Sequence, residues 1–455
     1  MTYLFNTVYV ILIGLAFPLL WIKDMRSRKY RRGLQQRFTG QVPRRSGENP
    51  CIWLHAVSVG EVNLLRPLIE AIEMANSDIH CVISTSTEAG YRLATERYSP
   101  RLVFRCPLDF SWSVRETLRR IRPNVLILAE LELWPNLIRL THRSGAEVAV
   151  INGRLGDRSF RGYRRLRPWI GKLLSQLSLI NCQDAATSAR FLELGAPAER
   201  VFTTGSIKFD GAESDRNNQL TRELARLAGI MPEDVIFLAG STQDPEEQMA
   251  LNVYQLLKKD FPELRLILVP RHPERFDQVA QLLDRSRLCW QRRSRLSKSV
   301  EIPSWNILLV DTVGELGAWW GTSQIAYVGG SMGNRGGQNM IEPAAYGTVV
   351  CFGPQTKNFR DIVAALLKRK AATVIHDQRE LADLVKKALS NPGFVEKTGN
   401  AARQLVAENS GATQRTLAGL RPLLERARSQ ANSARRVDTA HQTSSSKGPT
   451  VRQKI

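Results

Sequence analysis

Cysteine is scarce and unpaired: six residues in 455 (Cys51, Cys81, Cys106, Cys182, Cys289, Cys351), none in a C-x-x-C pair or at metal-ligand spacing. This argues against a disulfide framework or a thiolate metal centre. The apolar, strand-like runs around most of them read as reduced core positions of a cytosolic body. Neither a GxxxxGKS loop nor a G-x-G-x-x-G beside a strand is present, so neither a P-loop nor a dinucleotide fold is supported. Acidic residues are in deficit, with 43 Asp and Glu against 64 Lys and Arg, a net charge of +21 and a pI near 10.1. That balance calls for an anionic partner: nucleic acid, anionic lipid or a phosphorylated substrate. Charge is missing altogether from Tyr3 to Ile22, and ~20 apolar residues is the length of a bilayer-crossing helix. Lys23, Arg26, Arg28, Lys29, Arg31 and Arg32 follow that run instead of preceding it. The order argues against a cleaved signal peptide and, by the positive-inside tendency, for a body on the cytoplasmic side. Pro18 keeps open a second form, a segment that only dips into one leaflet.

What is present is enough for two domains. A chain of 455 residues with 43% hydrophobic content exceeds one core. Short β-branched runs alternate with helical patterns: Ile52 to Val57, Cys81 to Thr85, Leu102 to Phe104, Val125 to Ala129, Val148 to Ile151, Leu179 to Cys182 and Val201 to Thr204. The alternation pauses in a polar stretch from Gly211 to about Pro232. It resumes at Val235 to Ala239, Leu266 to Val269, Ile307 to Val310, Ile325 to Val328 and Val349 to Phe352. Strands separated by helix-length segments predict a parallel sheet with helices on both faces in each half, with a boundary near Gly211. Beyond Asp377 the pattern is helical to about Arg428. The Ser/Thr/Gln/Arg/Lys-rich remainder has almost nothing to form a core and reads as a disordered basic tail.

The chemistry-bearing residues gather where strands end. The run Trp53 to Val57 meets a Ser/Gly turn and a helical pattern starting at Glu61, the junction at which open α/β sheets bind ligands. Glu61 there is either a general base or a first-turn acid complementing the helix dipole. His55 either orients substrate or packs at its strand end. Glu130 and Glu132 follow Val125 to Ala129, and period-two alternation would aim both at one face, where paired acids raise each other's pKa or divide roles; one of them could instead cap the helix that Pro135 begins. Lys208 lies at the proposed boundary, suited to neutralise an anion but equally a solvated charge. Arg271 after Leu266 to Pro270 offers a fork for phosphate. Thr312 to Glu315 has a capping-box pattern. The glycine-rich run Gly329 to Gly337, followed by Asn339 to Pro343, would let backbone amides approach phosphate ahead of a helix N-terminus, and Glu342 could accept from ribose hydroxyls. Arg154, Arg158, Arg161, Arg164, Arg165 and Arg167 crowd one segment with only Asp157 to offset them, which suits an anionic ligand in the first half.

Together the motifs His55-Ala-Val-Ser-Val-Gly-Glu61, Glu130-Leu-Glu-Leu-Trp-Pro-Asn136, Gly205-Ser-Ile-Lys-Phe-Asp210, Val269-Pro-Arg-His-Pro-Glu-Arg275, and Gly329-Gly-Ser331 through Gln338-Asn339 to Glu342-Pro-Ala-Ala345 resemble the bacterial Kdo transferases. These enzymes move 3-deoxy-D-manno-octulosonate (Kdo) from CMP-Kdo onto a lipid A precursor. The resemblance runs in order from the apolar N-terminus to about Arg428. It implies an α/β GT-B fold, two Rossmann-like domains facing a cleft, with an N-terminal membrane-anchoring helix. The implied division is an anchor at 1–22, an acceptor-binding domain at 23–211, a CMP-sugar domain at 212–390, helices crossing back to the first domain at 391–428, and the basic tail at 429–455.

The resemblance further implies Glu61 as general base of an inverting transfer without metal or cofactor, and transition-state support from Glu132 and Lys208. CMP contacts would come from Pro270, Arg271, Val313, Gly314, Glu315, Gly330, Ser331, Asn339, Met340, Ile341 and Glu342. Glu130, Arg154, Arg158 and Arg161 fall to the acceptor, a phosphorylated lipid A precursor such as lipid IVA at the inner membrane surface; no nucleic acid is implied. The chain departs from the family at Gln243 and Gln338, where the family has His; an amide donates a hydrogen bond but carries no charge and shuttles no proton. Two competing readings are a GT-B transferase using another nucleotide sugar and a non-catalytic, basic, membrane-anchored binding module.

Overall fold

The computed structural model describes residues 6, 7, 9, 33–296 and 304–445, with side chains to 431. The chain divides into two units, Met1–Asp210 with Gly411–Ile455, and Gly211–Ser410.

The first unit is built on strands β1 (Cys51–Ala56), β2 (His80–Thr85), β3 (Val103–Arg105), β4 (Val125–Ala129), β5 (Glu147–Gly153), β6 (Leu179–Cys182) and β7 (Val201–Thr203). They form one sheet in the order β3-β2-β1-β4-β5-β6-β7, every pairing parallel. β1 and β4 are buried at every position, which is why their sequences are near-continuous apolar runs without alternation of polar residues. Alternate residues feed two cores. Ile52, Leu54, Val125 and Ile127 face one side with the helix Val59–Ala75, while Trp53, Leu126, Leu128 and Val150 face the other with Leu137, Ile138 and Leu174. Leu420, Leu423, Leu424 and Ala427 of the last helix belong to the first of these cores, so the end of the chain completes the sheet that its beginning started.

The second unit repeats the plan with β8 (Val235–Thr242), β9 (Leu264–Pro270), β10 (Trp290–Arg292), β11 (Ile307–Leu309), β12 (Ile325–Val328), β13 (Val349–Phe352) and β14 (Ala372–Val374), in the order β10-β11-β9-β8-β12-β13-β14, again all parallel. β10 and β14 are absent from the sequence reading: each is a short edge strand whose sequence, Trp-Gln-Arg or Ala-Thr-Val, has no run of large apolar residues to mark it.

Three further expectations meet the structure. Of the uncharged run 3–22 only residues 6, 7 and 9 are described. The Asn6 side chain donates to Ser111 Oγ at 2.8 Å and the Tyr9 hydroxyl to Asp109 Oδ2 at 2.8 Å; the expected anchor otherwise lies outside the described residues. No helix among the described residues is long and apolar enough to cross a membrane. The last helix spans Ala412–Ser445, so the segment from 429, expected to be disordered, is helical to Ser445. Its Arg, Ala, Gln and Ser residues continue a helix already docked by Leu423 and Ala427, because propagation needs no new nucleus. Five cysteines are buried and unpaired, but Cys289 is exposed; it sits just before an edge strand, outside the core to which the sequence reading assigned it.

Candidate active site

In each sheet the strand order reverses at one place, between β1 and β4 in the first and between β8 and β12 in the second. A crevice opens at such a point because the connections leave the two strands in opposite directions, and ligands of open α/β sheets bind at its carboxyl edge.

At the first reversal, Ser58 caps the helix Val59–Ala75, its side chain accepting from the Glu61 N–H. The Val57 N–H donates to Glu61 Oε2 at 2.7 Å and Ser58 Oγ to Oε1 at 2.8 Å. Each carboxylate oxygen keeps a further lone-pair site, so the cap orients Glu61 without exhausting it. The residue is 9% exposed. Burial raises its pKa first of all; the Val57 and Ser58 bonds oppose that, the Glu130 charge adds to it, and Lys208 counters it.

Across the reversal, β4 ends at Ala129 and the chain turns at Glu130 with φ 59°, a left-handed backbone that costs a non-glycine residue of order 1–3 kcal/mol. Strand alternation therefore stops before the two acids, and the expectation that pleating aims Glu130 and Glu132 at one face does not apply. Glu130 Oε1 instead accepts from Lys208 Nζ at 2.6 Å, and Glu132 Oε2 accepts from Trp134 Nε1 at 2.6 Å. Burial, followed by the charges of Glu61 and Glu130, pushes the Glu132 carboxyl up to about 7 despite the Trp134 bond. Glu61, Glu130, Glu132 and Lys208 thus form one electrostatic group.

Lys208 reaches it because its short turn is held from two sides. The Ile207 N–H donates to Asn152 Oδ1 at 3.0 Å, and Asp210 accepts from the Gly411 N–H at 2.7 Å and from the Thr413 N–H at the start of the last helix. His55 stands apart from this group. It is fully buried, its Nδ1 pairs with Ser84 Oγ at 2.9 Å, and desolvation lowers its pKa to about 4. A neutral ring packed in β1 is no base for Glu61's work. Arg158 and Arg161 are exposed on the helix Asp157–Arg165 without an ion pair among the described residues, while Arg154 is half-buried. Asp157 pairs with Arg190 and so does not neutralise them.

The second reversal brings a correction. Three amides of the glycine loop, expected to cradle phosphate, are already taken by a side chain. The buried Glu246 accepts from the N–H groups of Gly330 (2.7 Å), Ser331 (2.9 Å), Met332 (3.0 Å) and Gln243 (2.9 Å), and from the Tyr327 hydroxyl (3.0 Å). Five donors around one carboxylate fill the nest. Gly329 permits this approach: a Cβ there would lie 2.6 Å from Ser241 O and 2.7 Å from Glu246 Oε2. The Ser331 side chain also faces inward, donating to Val328 O and accepting from the Gly353 N–H, so it braces the loop and cannot reach a ligand.

Around this loop, Pro270 ends β9 and the Arg271 N–H donates to Thr242 O at 3.0 Å, leaving the guanidinium exposed. Val313 is exposed and Gly314 has φ 93°. Thr312 to Glu315 is not the capping box that its spacing suggested: Thr312 Oγ1 donates to Glu315 Oε2, and Arg293 grips both Glu315 oxygens at 2.7 and 2.9 Å. The Met340 and Ile341 side chains are buried, and the Ile341 N–H donates to Asn339 Oδ1 at 3.1 Å. Asn339 Nδ2 donates to Glu342 Oε1 at 3.0 Å. Burial raises the Glu342 pKa, with Asn339 and Arg271 among the groups that oppose it. Glu246 and Arg293 escaped the sequence reading; an acid in the first turn after β8 was the only signal for Glu246.

A family model described as 3-Deoxy-D-manno-octulosonic-acid transferase (kdotransferase) matches residues 32–211. The 3-deoxy-D-manno-octulosonic acid transferase of Haemophilus influenzae is 32% identical over 433 residues, covering 93% of this chain and 99% of the relative. The chain belongs to the Kdo transferase family. The corresponding transferase of Bordetella pertussis is 32% identical over 429 residues, with 91% and 98% coverage. A glycosyltransferase from Rickettsia africae is 13% identical and covers 83% of the chain and 99% of its own, with TM-score 0.51, and it shares the fold. As a Kdo transferase the chain is a glycosyltransferase, with α/β architecture of the GT-B type.

Proposed function

We propose that this Kdo transferase moves Kdo from CMP-Kdo to a phosphorylated lipid A precursor, lipid IVA, by an inverting and metal-independent displacement with Glu61 as general base. The observation that carries this is the buried carboxylate of Glu61 at the first sheet's strand reversal, raised in pKa and oriented by Val57 and Ser58. A desolvated carboxylate is a stronger proton acceptor than a solvated one. In the displacement, the acceptor hydroxyl gives its proton to Glu61 as its oxygen bonds to the anomeric carbon of Kdo. The bond from that carbon to the CMP phosphate oxygen breaks, and CMP leaves with the electron pair. Lys208, held by Glu130, and Glu132 balance the charge that develops around the reacting groups. Arg154, Arg158 and Arg161 suit the phosphates of the acceptor, and the second unit's Arg271 and Asn339–Glu342 region suits CMP. The uncharged run 3–22 with its basic flank favours an inner-membrane protein with its body on the cytoplasmic side.

The test incubates the chain with CMP-Kdo and lipid IVA and weighs the product; each transfer adds one Kdo residue. Glu61→Gln keeps the side chain's shape, and its amide oxygen can accept from the Val57 N–H while its nitrogen donates to Ser58 Oγ. It should therefore melt like the unsubstituted chain and bind CMP as tightly while losing roughly 10²- to 10⁴-fold in kcat. Full activity in that variant sinks the base assignment.

A further inference from the structure

Glu246 takes the first amides of the loop after β12, those of Gly330, Ser331 and Met332, so an anion at that point of the loop would meet side chains. Two of them are Gln243, just beyond β8, and Gln338, at the far end of the glycine loop. They converge on one point. Gly330 has φ 66°, and a Cβ built on it would lie 3.2 Å from Gln338 Nε2 and 3.5 Å from Gln243 Nε2. Two amide nitrogens therefore flank the same spot over Gly330, where a Cβ would be crowded but an oxygen accepting from both amides would be at hydrogen-bond range. Both glutamines are half-buried, and neither side-chain amide has a hydrogen-bond partner among the described residues.

We propose that Gln243 and Gln338 form a neutral oxyanion site over Gly330, which holds an anionic oxygen of the nucleotide-sugar donor. Two features support a ligand site over a loose surface pair. The first is position: the space lies at the second sheet's strand reversal. The second is that both residues are fixed through the backbone to the same structure. The Gln243 N–H donates to Glu246 Oε2 and its carbonyl accepts from the Glu246 N–H at 2.6 Å. The Gly337 N–H, next to Gln338, donates to Gly330 O at 2.8 Å. Glu246 is thus a positioning residue: it closes the loop's own anion nest and aims the side-chain amides at a neighbouring space. Each amide nitrogen carries two N–H donors and no charge, so the pair discriminates by direction and does not titrate between pH 5 and 8, unlike an imidazole. The ligand chemistry is an oxyanion, either the phosphoryl oxygen of a nucleoside monophosphate ester or the carboxylate of the donor sugar.

This inference rests on the donor assignment above, and its test separates the two. CMP and cytidine binding are measured by calorimetry on the unsubstituted chain, Gln243→Ala, Gln338→Ala and the isosteric Gln338→Glu, alongside KM for CMP-Kdo and the melting temperature of each. If the pair holds the phosphoryl group, each alanine variant should weaken CMP about 10-fold, Gln338→Glu should weaken it about 100-fold by repulsion, and cytidine should bind all four chains alike. If it holds the sugar carboxylate, CMP binding stays level while KM for CMP-Kdo rises by the same factors. Unchanged CMP affinity and unchanged KM in variants that melt like the unsubstituted chain overturn the amide pair alone. Failure of the unsubstituted chain to bind CMP overturns the donor reading and this inference with it.

Discussion

Glu132 is the residue whose environment makes the plainest pH prediction. Its carboxyl rises from 4.5 to about 7 in the folded chain, through burial first and through the Glu61 and Glu130 charges after it. A carboxyl that binds its proton more tightly when folded contributes stability that is complete below the unfolded pKa and is lost as pH rises through the folded one. Thermal stability should therefore fall between about pH 4.5 and about 7, and Glu132→Gln should flatten that fall in a melting series. A variant whose slope matches the unsubstituted chain would show that Glu132 is ordinary. The sequence made this residue a candidate by its place after an apolar run. Its raised pKa depends on Glu61, which lies 71 positions away in the chain, and no local pattern encodes that neighbour.

At the scale of elements, the role of the last helix was legible only through the family resemblance, which implied helices crossing back to the first domain. Its apolar residues Leu417, Leu420, Leu423, Leu424 and Ala427 recur at spacings of three and four and look like an ordinary amphipathic pattern. Leu420, Leu423, Leu424 and Ala427 are nearly completely buried against the sheet that begins at Cys51. Leu423→Ala should cost about 2–5 kcal/mol, the range for truncating a buried leucine, read as a lower denaturant midpoint. Loss should appear in the transfer reaction as well, because Asp210 holds the start of this helix beside the Lys208 turn. Near-unchanged stability would mean that the helix only lies on the surface. The strands, by contrast, were readable: parallel strands covered on both faces are apolar throughout, and such runs stand out in any window. The exceptions β10 and β14 read Trp-Gln-Arg and Ala-Thr-Val, with no run of large apolar residues to stand out.

For the whole molecule, the two units differ in how the chain builds them. Gly211–Ser410 is continuous, whereas the first unit needs both Met1–Asp210 and Gly411–Ile455. Residues 211–410 expressed alone should fold cooperatively and bind CMP, while residues 1–210 alone should expose the apolar surface that Leu420, Leu423 and Leu424 cover and aggregate. Expression of both fragments with denaturant melts checks this; a soluble, cooperatively melting 1–210 fragment would contradict it.

Periodicity alone was enough to establish two parallel α/β halves, their division near Gly211 and the strand ends that carry acids and arginines, because burial on both faces of a sheet leaves its mark on every residue of a strand. The ordered motifs placed the chain in its family. Which of those residues meet one another was decided by the tertiary structure. Glu61, Glu130, Glu132 and Lys208 come together at a strand reversal, Glu246 takes three of the amides that a glycine-rich loop was expected to offer, and two distant glutamines flank Gly330. Such pairings arise from sheet order and from competition among buried groups for a limited number of partners. A chain read one segment at a time contains neither.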